Sequence, residues 1–474
     1  MVFSSTIFLF FFLPFTLVGY YLINPIFRNS FLLMMSVFFY AWGEPKFIFI
    51  MLGSIFINYI FGLLVDKYRN NKKIAKLFVT LMVIFNVMLF FIYKYLNFTI
   101  ENLNLFFGNK IPQTNILLPI GISFFTFQAM SYVFDVYRNN GKVQKNPLNV
   151  ALYIMLFPQL IAGPIVRYET VSNAINYRTE TIDDFSEGVK RFIVGLSKKI
   201  IISNSVALIA DKAFGYTDFS QLSVGLSWLG ALAYSLQIYY DFSGYSDMAI
   251  GLGKMFGFHF DENFNYPYIS KSVSEFWRRW HISLSTWFRD YVYFPMGGSR
   301  VEKKSRLVFN LFVVWLLTGI WHGASWNFIA WGLYYFLILT FEKLSGIPNK
   351  FSNLFSKTLY RIFTLLYVLF GWVLFRSNNL RYAIDFVKSM FMLNNNLIVD
   401  KSLIFLIQEN LVILIISVIF CAPALKSFSK YVDTYVISYK LSIIMKPVLY
   451  AILFIICVSF TITSTYNPFI YFNF

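Results

Sequence analysis

The chain has 474 residues, of which 58% are hydrophobic and only 13% charged, against about a quarter charged in an average soluble domain. Apolar runs recur from end to end, which excludes a soluble globular protein and makes membrane spans the expectation. The net charge of +17 does not read as nucleic-acid binding, because Lys and Arg are spread over short loops between apolar runs, a positive-inside pattern that also suits anionic lipid headgroups.

In chain order, spans are expected at roughly 5–23, 31–42, 47–65, 77–96, 117–134 and 149–166. Met1 to Ile23 lacks a basic n-region and a small-residue cleavage pattern, so it reads as a first transmembrane helix and not as a signal peptide. Gly43-Glu44-Pro45 breaks the chain between the second and third spans into a tight hairpin. Arg28 and the cluster Lys67, Arg69, Lys72, Lys73 and Lys76 flank that hairpin, which puts both flanks in the cytoplasm and the N-terminus outside. Residues 99–116 read as an external loop or a surface-lying helix.

The stretch 167–187 is polar, and Lys198 and Lys199 interrupt the apolar character of 188–214, so no clean span is expected there. Further spans fit at 222–257, 307–338, 357–375, 402–424 and 444–465. Lys426, Lys430, Lys440 and Lys446 place the link between the last two in the cytoplasm. The expectation is one all-α polytopic membrane domain over 1–474, with roughly ten to twelve spans and no internal repeat.

The informative region is 236–330, because polar groups inside a membrane domain are costly and face a cavity, the bundle interior or one another. Gln237, Tyr239, Tyr240, Asp241, Ser243, Tyr245, Ser246 and Asp247 form a dense polar run. It is either a packing network between helices or a substrate-contact surface. Ser272 and Glu275 match a capping box that starts a helix reaching Tyr291. On it Trp277, His281, Leu284 and Phe288 share a face, while Arg278, Ser285 and Arg289 point elsewhere. Three arginines would be expensive in lipid, so this helix is expected to be interfacial or re-entrant.

The run from Leu307 reads as one helix to about Thr340, with Trp315, Gly319, His322 and Trp326 on one face. His322 lies in the middle of an apolar run, where a buried imidazole needs partners or a chemical role. His281 is the second candidate, and His259 carries no functional signal. Only Cys421 and Cys457 are present, both in apolar stretches, so no metal cluster or thiol relay is expected.

Five segments carry a family resemblance: Pro119-Ile120-Gly121-Ile122-Ser123-Phe124-Phe125, Phe157-Pro158-Gln159 with Ala162-Gly163-Pro164, Asp241-Phe242-Ser243-Gly244-Tyr245-Ser246-Asp247, Phe276-Trp277-Arg278-Arg279-Trp280-His281, and Thr318-Gly319-Ile320-Trp321-His322-Gly323. With them the chain, from Met1 to the closing Phe469-Ile470-Tyr471-Phe472, resembles the membrane-bound O-acyltransferase (MBOAT) family in its alginate O-acetyltransferase-like branch. The resemblance implies a ring of tilted helices with re-entrant or interfacial pieces around a central funnel, in the bacterial cytoplasmic membrane. It implies His322 and His281 as the catalytic pair. It also implies acetyl-CoA as the donor, with no permanently bound cofactor, and a cell-surface polysaccharide as the final acceptor. The expected partner is a separate extracytoplasmic Ser-Gly-Asn-His (SGNH)-type acetyltransferase of esterase fold.

Acyl transfer from a thioester to a hydroxyl needs a proton acceptor, and an imidazole with a pKa of about 6.5 suits that work near neutral pH. His322 is expected to accept the hydroxyl proton, and His281 to orient a substrate or share the proton. Gln237, Tyr240, Asp241, Ser243, Asp247, Trp277, Trp321 and Asn327 are the expected substrate contacts. Tyr240, Ser243 and Asn327 are chemically able to stabilise an oxyanion. No Gly-x-Ser-x-Gly elbow appears, so a serine acyl-enzyme is not expected. Two other readings are D-alanyl transfer toward teichoic acid, from a sister branch, and transport of a lipid-linked sugar. The second would account for Asp241 and Asp247 but not for a histidine between tryptophans on a close-packed helix.

Overall fold

The computed structural model describes residues 1–108, 110–161, 163–351, 353–424, 439–463, 466 and 470, with backbone alone at 349 and 439–444. Ala162, Lys426, Lys430, Phe469, Tyr471 and Phe472 lie outside the described residues. Among the described residues every regular element is helical. Among the described residues eight helices are long and apolar enough to cross a membrane: Ile48–Lys67, Lys72–Phe107, Ile182–Phe214, Lys304–His322, Trp326–Ser345, Leu354–Arg376, Lys401–Phe420 and Met445–Thr463. Phe8–Leu22 and Pro25–Ala41 are apolar but shorter. The chain is an all-α polytopic membrane protein.

Contacts divide the chain into two compact units: Met1–Phe192 with Tyr245–Asp261, and Ile193–Gly244 with Glu262–Phe474. The first unit is built on an aromatic core in which Phe8, Phe12, Phe39 and Phe157 pack ring against ring. Asn58 and Asn86 exchange two amide hydrogen bonds of 3.2 and 2.8 Å between Ile48–Lys67 and Lys72–Phe107, so two buried polar side chains satisfy each other. Helix continues through a π-turn at Phe91–Tyr95 as far as Phe107, so residues 99–107 extend the fourth helix instead of forming a loop. The expected span at 149–166 is broken: Pro147–Met155 stops at an extended Leu156, and only the short turn Phe157–Leu160 follows. Pro158 at the start of that turn cannot supply the amide that a continuous helix would need.

In the second unit, residues 224–244 of the helix Val224–Met255 run against residues 193–203 of the helix Ile182–Phe214. Positions 237, 241 and 244 lie on one stripe. They meet Ser203, whose hydroxyl donates to the Gln237 carbonyl at 3.3 Å, then Lys199 at Asp241, then the Gly195 carbonyl at Gly244. A Cβ at Gly244 would sit 2.7 Å from that carbonyl, so only glycine permits this approach. The lysines that obscured this span in the sequence sit in a π-turn, Lys198–Ser203, which turns Lys199 inward to a buried partner.

The helix expected from Ser272 to Tyr291 is two short ones, Val273–Arg279 and Ile282–Phe288, followed by a π-turn at Arg289–Tyr293. Each seven-residue helix is about 10 Å long, too short to cross a bilayer core of about 30 Å. The break falls at Trp280-His281, where His281 takes the left-handed conformation at φ +44°. Trp277 and His281 therefore do not share a continuous helical face with Leu284 and Phe288. Likewise the helix expected from Leu307 to Thr340 is a tight hairpin: it ends at His322, Gly323 is extended, and Ser325 caps Trp326–Ser345 by accepting from the Asn327 amide at 3.3 Å. Gly319 and Gly332 face each other in this hairpin, where a Cβ on either would collide with backbone of the opposite arm. Trp326 belongs to the returning arm and is exposed, so it does not share the face of Trp315 and His322.

Candidate functional site

All the candidate residues except Asp247 fall in the second unit. His322 is the last residue of the first hairpin arm and is 4% exposed. Its ring packs edge to face on Trp331 at 4.9 Å and on Phe375 at 5.2 Å. Trp321 bridges the two imidazoles, with its ring centroid 5.0 Å from that of His322 and 6.0 Å from that of His281. Two histidines 41 positions apart in sequence are thus gathered around one indole.

His281 is fully buried against Phe242, whose ring centre lies 4.6 Å away. Its Nδ1 is 3.1 Å from Asn263 Oδ1, while its Nε2 is buried and has no hydrogen-bond partner among the described residues. Burial pushes this imidazole down to about 3, so it is neutral at physiological pH and one ring nitrogen keeps its lone pair.

The short helix before His281 is tied down at its start by three residues. Ser272 Oγ accepts from the Glu275 amide at 3.1 Å, as the capping pattern predicts. The Glu275 carboxylate reaches back to the Lys271 amide at 2.9 Å, one residue beyond the expected Ser272. Glu342, from the far end of the returning hairpin arm, accepts from the amides of Val273 at 2.9 Å and Ser274 at 2.7 Å, and from the Tyr360 hydroxyl at 2.7 Å. This carboxylate satisfies donors that a helix N-terminus otherwise leaves open. Sequence reasoning missed it; the available signal was a lone glutamate in the last turn of an apolar helix.

Trp277 packs edge to face against Trp315, Trp331 and Tyr335 at 5.0, 5.4 and 4.8 Å. Its indole nitrogen is buried with no partner among the described residues, as are Gln237 Oε1, Ser243 Oγ and Asn327 Oδ1. The Asn327 amide nitrogen donates to the Ser377 carbonyl. Tyr240 donates its hydroxyl to the Ser417 carbonyl at 2.6 Å, which leaves Ser243 the least committed of the three oxyanion donors weighed from sequence. Asp241 is joined to Lys199 at 2.6 Å and accepts from the Ile470 amide at 2.9 Å. Asp247 belongs to the first unit, where Arg191 holds it at 2.8 Å. The polar run 237–247 therefore does two jobs: part of it joins helices, and part leaves polar atoms unspent. His259 bonds Asp184 at 2.9 Å on an exposed surface of the first unit, outside this cluster. Among the described residues no group of His, Cys, Asp and Glu could hold a metal ion.

A multi-pass helical protein with a buried histidine at the tip of a hairpin, beside a broken short helix that carries a second, defines a class. The profile of the membrane-bound O-acyltransferase family matches residues 142–384, and the chain belongs to that family. It is similar to the probable alginate O-acetylase AlgI of Pseudomonas aeruginosa, at 44% identity over 82% of this chain and 75% of that protein. It is also similar to the peptidoglycan O-acetyltransferase of Helicobacter pylori, at 36% identity over 83% of this chain and 80% of the relative. The teichoic acid D-alanyltransferase of Bacillus subtilis matches at 31% over 56% of this chain and 70% of its own length. The chain is an O-acyltransferase of the cytoplasmic membrane.

Proposed function

We propose that the protein transfers an acetyl group from cytoplasmic acetyl-CoA toward hydroxyls of a cell-surface polysaccharide. The observation that carries this reading is the pair of buried imidazoles bridged by Trp321, an acid–base centre in an apolar setting. In the reaction the acceptor hydroxyl oxygen forms the new ester bond to the acetyl carbonyl carbon and the thioester C–S bond breaks. The hydroxyl proton passes to an imidazole and from there to the departing thiolate. His322 takes that proton, with His281 beside it. Ser243, Gln237, Asn327, Trp277 and Trp321 supply contacts to the reacting groups. Similarity extends over more of the chain, and at higher identity, for the O-acetylases than for the D-alanyltransferases, which favours an acetyl over a D-alanyl donor.

With the two shorter apolar helices and Val224–Met255 also taken as crossings, the described residues support a ring of ten to twelve spans around a central funnel. A relay completes the reading. The donor is cytoplasmic and the polymer outside, and a separate extracytoplasmic SGNH-type protein would receive the acetyl group and pass it on.

The experiment is the O-acetyl content of purified surface polymers from cells with the protein, without it, and with His322→Ala at equal membrane levels. Loss of acetylation in the last two is expected, with a drop of roughly 100-fold or more for the variant. Full acetylation with His322→Ala would refute the role of His322 and favour transport of a lipid-linked sugar. Purified protein that acetylated polymer directly, at the cellular rate and without a partner, would refute the relay.

A further inference from the structure

We infer that Asn263 is the positioning residue that holds His281 as its Nδ1–H tautomer, which makes Nε2 a dedicated proton and hydrogen-bond acceptor in the site. The inference rests on the acyl-transfer reading and assigns His281 one of the two roles open to a second imidazole.

The argument starts from a group whose polarity is not in question. The Ser283 backbone N–H can only donate, and it points at the Asn263 side-chain atom 3.2 Å away, so that atom is the amide oxygen. The Ser283 hydroxyl donates to the same oxygen at 2.9 Å. An amide oxygen can only accept, so His281 Nδ1, 3.1 Å from it, must carry the hydrogen. The other ring nitrogen, Nε2, is then the lone-pair nitrogen, and it is the one buried without a partner among the described residues.

The backbone enforces this arrangement. His281 sits at φ +44°, a conformation costly for a residue with a side chain, and Ile282 donates its amide to the Asn263 carbonyl at 3.0 Å. The kink between the two short helices is thus laced to Asn263 through both backbone and side chain. A neutral Nε2 in this tautomer accepts a hydrogen bond, or shares the proton that His322 takes, and cannot donate to a developing oxyanion. When it is protonated, the charge is shared with Nδ1–H, which keeps its bond to the Asn263 oxygen.

Phe242 and Trp321 pack on the His281 ring. The titratable groups nearest to these contacts along the chain are Asp241, already joined to Lys199, and His322. Beside Asn263 in the chain the titratable group is Glu262, and beside His281 it is Arg279, paired with Glu275.

The test compares wild type, Asn263→Ala and Asn263→Asp in membranes, reading acetyl transfer against pH alongside the amount and melting temperature of folded protein. Asn263→Ala should lose transfer at least tenfold at every pH. Asn263→Asp keeps the acceptor oxygen and adds a negative charge that favours the imidazolium. It should retain transfer at high pH and move the acid limb upward by roughly one unit or more, because a protonated His281 no longer accepts. An Ala variant with wild-type rate and profile, or an Asp variant whose acid limb stays in place, overturns the inference. If the Ala variant does not fold, the Asp profile decides alone. Wild-type protein that transfers no acetyl group overturns the functional reading, and with it this one, and is distinguished by its independence of position 263.

Discussion

Lys199 and Asp241 meet at 2.6 Å with both side chains 1% exposed. A charge pair this deep contributes little net stability, but losing one partner leaves the other stranded in an apolar interior. Asp241→Asn is therefore expected to destabilise the protein by about 3–5 kcal/mol, and Lys199→Met/Asp241→Leu to recover most of that loss. Thermal melts in detergent read both. A single variant as stable as wild type would show that the pair is not what joins the two helices.

Glu342 closes the start of the helix that leads to His281. Glu342→Ala leaves one buried and one half-buried amide without an acceptor, at a cost of about 3 kcal/mol. Hydrogen exchange at Val273 and Ser274 should accelerate well before exchange in the hairpin arms does. Unchanged protection at these two amides would mean that the Ser272 and Glu275 caps suffice.

Burial holds the His281 imidazole far below the value of about 6.5 it has in an unfolded chain. The unfolded state then binds more protons than the folded state over the interval from about 6.5 down to about 3, so stability rises with pH across it and is lost on acidification. Melting temperatures at pH 7 and pH 5 should differ more for wild type than for His281→Gln, which has no proton to take up. Equal pH sensitivity in the two proteins would assign the effect elsewhere.

The topology derived from charge places Pro45 outside the cell and Lys72 inside. Both are exposed, whereas Ser4 is buried and a thiol there would report nothing. Cys421 and Cys457 are themselves buried, so the background should be low. An impermeant thiol reagent should label Pro45→Cys in intact cells and Lys72→Cys only after lysis; the reverse pattern would invert the assignment.

The membrane class and most of the spans were legible from composition and run length, because hydrocarbon imposes one demand on every crossing segment. The family and both histidines were legible as local motifs. Boundaries failed where the backbone departs from regular helix. A left-handed His281 and the π-turn at Lys198–Ser203 depend on partners distant in sequence, namely Asn263 and Asp241, and the reversal at Gly323 on the Phe328 ring across the hairpin turn. Periodicity alone reads straight through such positions.

The residues proposed to carry the chemistry were therefore present in the sequence as types and spacings. Their division of labour was not. Asp241 and Tyr240 look as available in the sequence as Ser243, yet folding gives the first a lysine and the second a carbonyl, and leaves the serine hydroxyl without a partner among the described residues. Hydrogen-bonding capacity is used up pair by pair in three dimensions, so only the tertiary structure decides which polar groups still have a lone pair or a proton to offer a substrate.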